Sequence, residues 1–183
     1  MKKIMMTLAA VAVAATMNAQ AYIGGSLGFS TTSQGDDTKT SFTILPEIGY
    51  SLDDNWAVGI VFGYGQTKNS TEVNNVSVST TNKVFTINPY ARYTFAKFDK
   101  VNLFVDGGID YTHSDNAGAK NNTFGIGVQP GVAVNLNDKL SFVSHIGWLG
   151  YENSKDDYDG AKAANTFGLN LHSSVSFGLY YNF

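Results

Sequence analysis

The C-terminal segment of the chain alternates strictly between two kinds of side chain. From Phe167 to Phe183 the odd-numbered positions are apolar except Ser173, and the even-numbered ones are polar, glycine or tyrosine. A period of two sustained over these 17 residues is that of a β-strand, because successive side chains point to opposite faces of a sheet. A strand of this length with one apolar face favours one that crosses a lipid bilayer.

The N-terminal residues have the composition of a secretory signal peptide. Two lysines precede an apolar run over 4–15, and small residues follow it. The run is too short for a helix that spans a membrane. We therefore predict a signal peptide at 1–19, with cleavage after Ala19 or alternatively after Ala21, and a single domain at 20–183.

The composition excludes several classes of function. Loss of the two N-terminal lysines would leave 10 Lys and Arg against 15 Asp and Glu, a net charge of −5. We expect no nucleic-acid partner, because such a surface needs clustered basic residues. The chain has no cysteine, which removes disulfides and thiolate metal sites. We expect no cofactor, since Gly125-x-Gly127 leads into a strand and not into the helix of a dinucleotide site.

The same alternation recurs eight times, and turn-forming residues bound each run. We predict strands at 21–31, 41–52, 56–66, 83–96, 101–112, 123–136, 140–151 and 166–183. Short connections at 53–55, 97–100 and 137–139 alternate with long polar ones at 32–40, 67–82, 113–122 and 152–165. Short turns on one side and long loops on the other are typical of membrane barrels. The prediction is an all-β fold, an eight-stranded antiparallel transmembrane up-and-down β-barrel.

The period does not by itself decide which face points outward. A soluble, lipocalin-like barrel would turn the apolar set inward, but the interior of an eight-stranded barrel is only wide enough to be filled by side chains. The opposite set also contains ionisable groups, so we predict that the apolar set faces lipid. Aromatic residues near the strand ends would form two girdles at the bilayer interfaces. They are Tyr50, Trp56, Tyr64, Tyr93, Phe95, Tyr111, Trp148, Tyr181 and Phe183.

The signal peptide, the eight alternating strands and the ending Leu179-x-Tyr181-x-Phe183 together resemble the small outer-membrane β-barrel family (OmpA/OmpX-like, often labelled "porin family"). The resemblance covers essentially the whole mature chain. It implies export to the periplasm and insertion into the outer membrane of a Gram-negative bacterium. It also implies contact with lipid and with the barrel-assembly machinery, for which the terminal alternation resembles the assembly signal. It does not imply one activity, because members serve as structural, adhesive or narrow-pore proteins.

The positions that face inward include several ionisable side chains. They are Glu47, Arg92, Asp106, Asp110, His145 and His172. Strand pairing about the 97–100 turn places Arg92 opposite Asp106, and glycines on the third strand leave room for Arg92 to reach Glu47. A buried arginine needs such carboxylates. We predict a charge network that fills the lumen, and the alternative is the polar constriction of a narrow, cation-preferring pore.

Two further patterns concern how the barrel is filled and paired. Inward glycines are numerous, and we expect them to make space either for water or for large inward rings, which are Tyr22, Tyr90, Phe104, Tyr151 and Tyr180. Pro46, Pro89 and Pro130 recur on the second, fourth and sixth strands. Since proline cannot donate to a strand ladder, we expect a bulge or a register stagger at these positions.

These patterns favour a non-enzymatic, monomeric barrel with a structural or surface-interaction role. Valines alternate with polar residues in 67–82, so we expect strands three and four to continue beyond the bilayer as a ribbon that offers an edge to a surface or host partner. A narrow passive pore is the alternative. An enzyme is a more distant alternative. His113-Ser114-Asp115 contains the residue types of a catalytic triad, but consecutive side chains at a strand end point apart and do not converge. We expect no metal site at His145 or His172, which lack neighbouring ligands.

Overall fold

The computed structural model describes residues 21–35, 37–73, 76–158 and 160–183, without the side chains of 72–73, 76–77 and 170–175. The predicted signal peptide at 1–19 lies outside these residues and stays a prediction. In the part of the chain that is described, no helix is long and apolar enough to cross a membrane.

Eight strands account for nearly all of the described chain. They are β1 (Ala21–Gln34), β2 (Asp37–Ser51), β3 (Trp56–Val73), β4 (Val76–Lys97), β5 (Val101–Asn116), β6 (Ala119–Asn135), β7 (Leu140–Asp156) and β8 (Ala164–Asn182). Each strand pairs antiparallel with the next, and β1 pairs with β8 to close the barrel. The predicted eight-stranded antiparallel barrel is confirmed.

The connections at one end of the barrel are tight, as predicted. Asp53 Oδ1 accepts hydrogen bonds from the amides of Asn55 and Trp56, each at 2.7 Å. Asn137 Oδ1 accepts from the amides of Lys139 and Leu140, each at 2.9 Å. A side-chain oxygen that caps the backbone two and three residues on is the reason why Asp and Asn favour such turns.

The connections at the other end are shorter than predicted, so the long polar loops at 32–40, 113–122 and 152–165 were wrong in extent, whereas the predicted extension of the third and fourth strands into 67–82 is confirmed. Most of 32–40, 67–82, 113–122 and 152–165 belongs to strands, which extend as hairpins beyond the body of the barrel. Hydroxyl groups join these polar strands in pairs, as between Ser70 and Ser79 at 2.9 Å and between Ser41 and Thr67 at 3.0 Å. Cross-strand Ser and Thr pairs stabilise a sheet without apolar burial, so the polarity of the sequence hid the strands.

The two faces of the barrel wall differ as predicted. Large apolar side chains such as Phe62, Ile109 and Ile126 are exposed on the outside, at 41%, 44% and 52%. Charged side chains such as Glu47 and Arg92 are buried inside, at 6% and 8%. A continuous exposed apolar belt of this kind is stable in hydrocarbon and not in water. The soluble, lipocalin-like alternative is therefore wrong.

The outer half of β7 departs from the predicted alternation. Gly147 has a φ of 75° and lies where β7 has one residue more than β6, between the pairs Val128–Leu149 and Gly131–His145. The extra residue reverses the faces beyond it, since a one-residue slip moves every following side chain to the other side. Trp148 therefore points into the lumen, and Tyr151 is exposed at 40%. The assignments of Trp148 to the outer girdle and of Tyr151 to the lumen were wrong.

The three prolines each interrupt one ladder. Pro46, Pro89 and Pro130 pair in register with one neighbouring strand, but the ladder to the other neighbour skips them. Only at Pro130 does the register shift, between Val128 and Gly131. A residue without an N–H leaves one side of the ladder unpaired. The change of register opposite Pro130 comes from the extra residue on the facing strand β7.

Candidate functional site

A cluster of four ionisable side chains lies in the half of the lumen next to the tight turns. Arg92 on β4 stands directly opposite Asp106 on β5, and Glu47 comes from β2 and His145 from β7. Arg92, Asp106 and Glu47 are all less than 9% exposed. We call these four residues, with the aromatic rings around them, the Arg92 cluster.

Arg92 and Asp106 form a two-pronged ion pair. The guanidinium Nε donates to Asp106 Oδ1 at 2.7 Å, and Nη2 donates to Oδ2 at 2.8 Å. Nη2 also lies 3.6 Å from Glu47 Oε1. Parallel hydrogen bonds from the planar guanidinium fix both partners and offset the cost of burying them.

His145 completes the coordination of Asp106. Its Nε2 lies 2.8 Å from Asp106 Oδ2 and 3.3 Å from Arg92 Nη2. A carboxylate only accepts and a guanidinium only donates, so the shorter contact places the proton on Nε2, which donates to Asp106. In the neutral ring, Nδ1 then faces the Ser176 hydroxyl at 3.5 Å as an acceptor.

Three tyrosine hydroxyls satisfy Glu47 in a chain of donors. Tyr180 donates to Glu47 Oε2 at 2.5 Å, and Tyr90 donates to Oε1. Since the Tyr90 proton is used in that bond, Tyr22 donates to the Tyr90 oxygen at 2.6 Å. Both oxygens of Glu47 therefore have partners, which a carboxylate buried at this depth requires.

Aromatic rings enclose the guanidinium, and sequence reasoning missed this cage. Arg92 Cζ lies 4.0 Å from the centre of the Phe104 ring, 5.2 Å from Tyr90, 5.6 Å from Tyr180 and 5.8 Å from Tyr22. Cations are attracted to ring faces at such distances, most strongly when desolvated. Each of these rings is 7% exposed or less, so the cage excludes water.

Inward glycines on neighbouring strands provide the space for these rings, as the sequence predicted. An added Cβ would overlap the ring of Tyr22 at Gly49, of Tyr90 at Gly59, of Phe104 at Gly131 and of Tyr180 at Gly24. A large ring on one strand faces a glycine on another, as the taper of a small barrel requires. This pairing was the sequence signal from which the cage could have been found.

The remaining predicted lumen residues do not join the cluster. Asp110 lies further from the tight turns, where its carboxylate packs on Gly125 and has no hydrogen-bond partner among the described residues. Asp110 and Trp148 line a cavity of about 350 Å³ above the cluster. The side chain of His172 lies outside the described part of the structure.

The predicted girdle residues, apart from Trp148, lie on the outside of the barrel. They are Tyr50, Trp56, Tyr64, Tyr93, Phe95, Tyr111, Tyr181 and Phe183. Trp56 and Tyr93 contact each other with ring centres 4.8 Å apart, and Tyr181 and Phe183 do so at 5.2 Å. Tyr151 takes the outward place that the sequence assigned to Trp148.

Two of the three hairpin residues considered as candidates for catalysis, His113 and Asp115, make structural hydrogen bonds. His113 Nδ1 lies 2.7 Å from Asn122 Oδ1, and Asp115 Oδ1 accepts from the Gly118 amide at 2.8 Å. Within the ranges that the structure describes, no group of three or more His, Asp or Glu side chains is arranged to hold a metal ion.

Comparison with known proteins gives one family and several structures of the same fold. A family model described as "Outer membrane protein beta-barrel domain" matches residues 4–183. No curated protein matches the chain. Neisserial surface protein A is 16% identical with a TM-score of 0.51, covering 89% of this chain and 97% of that one. OprG from Pseudomonas aeruginosa is 13% identical with a TM-score of 0.52, covering 90% and 93%. Outer membrane protein W from E. coli is 16% identical with a TM-score of 0.51, covering 90% and 97%.

Proposed function

The chain belongs to the outer membrane protein β-barrel family, and we propose that it is a non-enzymatic, sealed barrel whose surface hairpins make its functional contacts. The family and the structural neighbours locate the chain in the outer membrane, with the apolar belt in lipid. The proposal concerns what the lumen and the hairpins do there.

The Arg92 cluster is the observation that supports a sealed lumen. A water-filled constriction would leave its polar side chains in contact with solvent, as in the filters of channels. Here Arg92, Glu47, Tyr180 and Phe104 are buried to the same degree as a protein core, at 8%, 6%, 4% and 1% exposure. The hydrogen bonds of the Arg92 cluster connect β2 to β8, β4 to β5 and β5 to β7, so the cluster joins opposite walls of the barrel across the lumen.

The hairpin of β3 and β4 supports a surface-interaction role. It is the longest hairpin, and its strands remain paired up to Val73 and Val76. Pairing of β4 with β5 begins only at Asn82, so residues 76–80 form an open strand edge beyond the membrane. Val78 on this edge is 56% exposed. An open edge with β-branched side chains is suited to pairing with an added strand of a partner protein.

Binding to surfaces by cells that display the barrel tests the proposal. We expect Val78→Lys to reduce adhesion to cultured epithelial cells and to immobilised matrix proteins, because a lysine on an edge strand opposes pairing. Thr38→Lys, on the hairpin of β1 and β2, is the matched control with the same added charge. Gel migration before and after heating would verify that both variants are folded. Equal adhesion of Val78→Lys and the unaltered protein would contradict the role of this edge.

The C-terminal residues support a second contact, made during assembly. Leu179, Tyr181 and Phe183 point outward from the last strand, where all three are exposed. We propose that they form the signal for the barrel-assembly machinery, and that the finished barrel is a monomer. Phe183→Ala should slow insertion into the outer membrane, while Phe95→Ala, at an outward aromatic position on β4, should not.

A further inference from the structure

The closure between β1 and β8 differs from every other seam of the barrel. Only four residue pairs join these strands, from Tyr22 with Asn182 to Gly25 with Leu179. The neighbouring seam of β1 with β2 continues to Gln34 and Asp37. Among the described residues, no pair joins β1 to β8 beyond Gly25. The seam between β1 and β8 is therefore closed near the tight turns and open towards the outer hairpins.

Exposure of the side chains along this seam agrees with a gap. Leu27 and Phe29 on β1 are each 75% exposed, and Phe177 on β8 is 58% exposed. Outward side chains on fully paired strands are less exposed, as for Phe62 at 41% and Ile109 at 44%. The additional exposure is the surface that a neighbouring strand would otherwise cover. The described side chains Leu27 and Phe29 on one edge of the gap and Phe177 on the other are thus apolar and exposed.

The lumen cavity above the Arg92 cluster reaches this gap. Its lining includes Ser26 and Phe177, which stand on the two sides of the seam. A volume of about 350 Å³ is within the range of roughly 300–1,000 Å³ found for small-molecule sites. A molecule in this cavity could therefore extend sideways between β1 and β8, and not only along the barrel axis.

The charge of the lining defines the head group that the cavity would accept. Glu47, Asp106 and Asp110 line it, while no lysine or arginine does so. Arg92 is committed to Glu47 and Asp106 from below, which leaves the Asp110 carboxylate without a partner in the described part of the chain. Trp148 lines the same cavity, and its ring is suited to contact an organic cation.

We infer that the cavity and the open seam together bind a cationic amphiphile. Its ammonium head contacts Asp110 and Trp148, and its alkyl chain leaves through the seam past Leu27 into the lipid. Charge complementarity selects the head, and the apolar edges of the gap accept the chain. This site lies above the Arg92 cluster, so binding does not require an open pore.

Fluorescence of Trp148 tests this inference. The chain has two tryptophans, so Trp56→Phe leaves Trp148 as the only reporter. The protein is placed in lipid nanodiscs and titrated with dodecyltrimethylammonium, with dodecyl sulfate and with tetramethylammonium. We expect a saturable change with dodecyltrimethylammonium, none with dodecyl sulfate, and much weaker binding of tetramethylammonium, which lacks the chain. Equal responses to the two dodecyl compounds would overturn the inference.

Two variants separate the head site from the seam. Asp110→Asn should weaken binding of dodecyltrimethylammonium about tenfold through loss of the charged contact, whereas Asp115→Asn, on the outer hairpin, should not. Leu27→Ser should weaken binding of dodecyltrimethylammonium and leave that of tetramethylammonium unchanged. Ile109→Ser, which faces lipid on β5, is its control. Unchanged binding in Asp110→Asn would contradict the head site, and equal effects of the two serine variants would contradict the seam.

Discussion

The two halves of the barrel are stabilised in different ways. Next to the tight turns, all eight strands are paired, and the lumen is filled by Arg92, its carboxylates and four rings. Further out, one seam is open, a cavity replaces the packing, and Asp110 has no partner among the described residues. Side chains hold the first half closed, whereas backbone ladders and hydroxyl pairs hold the second. Substitutions inside the lumen should therefore be costly in the first half and tolerated in the second.

Removal of the central cation should have the largest effect. Arg92→Ala leaves Asp106 and Glu47 buried without their counter-ion, and breaking a buried pair in this way costs about 3–5 kcal/mol. Urea unfolding of the protein in lipid vesicles, followed by gel migration, would measure the loss. Lys68→Ala on the hairpin of β3 and β4 is the control, expected to change the free energy of unfolding by less than about 0.5 kcal/mol. A loss in free energy of unfolding as small as that of the control would contradict the claim that side chains in the lumen stabilise the half next to the tight turns.

A charge on the outer face should cost less and should depend on depth. Val105 lies on β5 on the face opposite to its neighbour Asp106, and Val105→Arg should destabilise the barrel by about 2–4 kcal/mol if it lies near the bilayer midplane. Val78→Arg makes the same change on the hairpin, beyond the membrane, and should have little effect. The same unfolding assay would distinguish them, and equal losses would mean that the hairpin is not outside the bilayer.

A methyl group added inside the lumen should destabilise the half next to the tight turns and not the outer half. Gly131→Ala places a methyl group against the Phe104 ring, and overpacking of this kind costs about 1–3 kcal/mol. Gly28 lies in the outer half, where an added Cβ would meet only Thr43, at the ordinary distance of 3.6 Å. Gly28→Ala should therefore be nearly neutral in the same assay. A greater loss at Gly28 would reverse our assignment of the packed half.

The smallest effect should come from the turns and should depend on pH. Hydrogen bonds from the amides of Asn55 and Trp56 hold the pKa of the exposed Asp53 carboxyl below its usual range. A lowered pKa in the folded state means stabilisation that is present at neutral pH and lost as the pH falls through that pKa. Asp53→Ala should be slightly less stable than the unaltered protein at pH 7, and the two should converge in acid. A difference that persists in strong acid would contradict the carboxylate's role.

The sequence was sufficient for the strands and for part of the cluster. Period two located eight strands, and parity placed Arg92 and Asp106 on the lumen faces of two paired strands. Their direct pairing also needs the bulge between Thr94 and Ala96, because the Lys97–Asn102 pair next to the turn would otherwise bring Arg92 opposite Gly107. The sequence was insufficient where a single residue changes the register. Gly147 inserts such a residue, and the adjacent large side chains of Trp148 and Leu149 were the visible break in the alternation.

The meeting of the aromatic rings around Arg92 and the length of the other three outer hairpins were not predicted, for a different reason. Tyr22, Tyr90 and Tyr180 could be assigned to the lumen by parity, but their meeting at Glu47 depends on the stagger of distant strands around the barrel. The hairpins pair through hydroxyl groups and backbone, so the apolar alternation that identifies a strand is weak in them. Local patterns predict the face of a residue, while the partners it meets across the lumen depend on closure.

Single-channel recording tests the sealed lumen most directly. The refolded protein would be inserted into a planar lipid bilayer, with insertion verified by heat-sensitive gel migration of the same preparation. We predict no conductance steps from the unaltered protein, because the Arg92 cluster excludes water from the half of the lumen next to the tight turns. Reproducible steps from the folded protein that vanish after heat unfolding would contradict this account and establish the barrel as a pore.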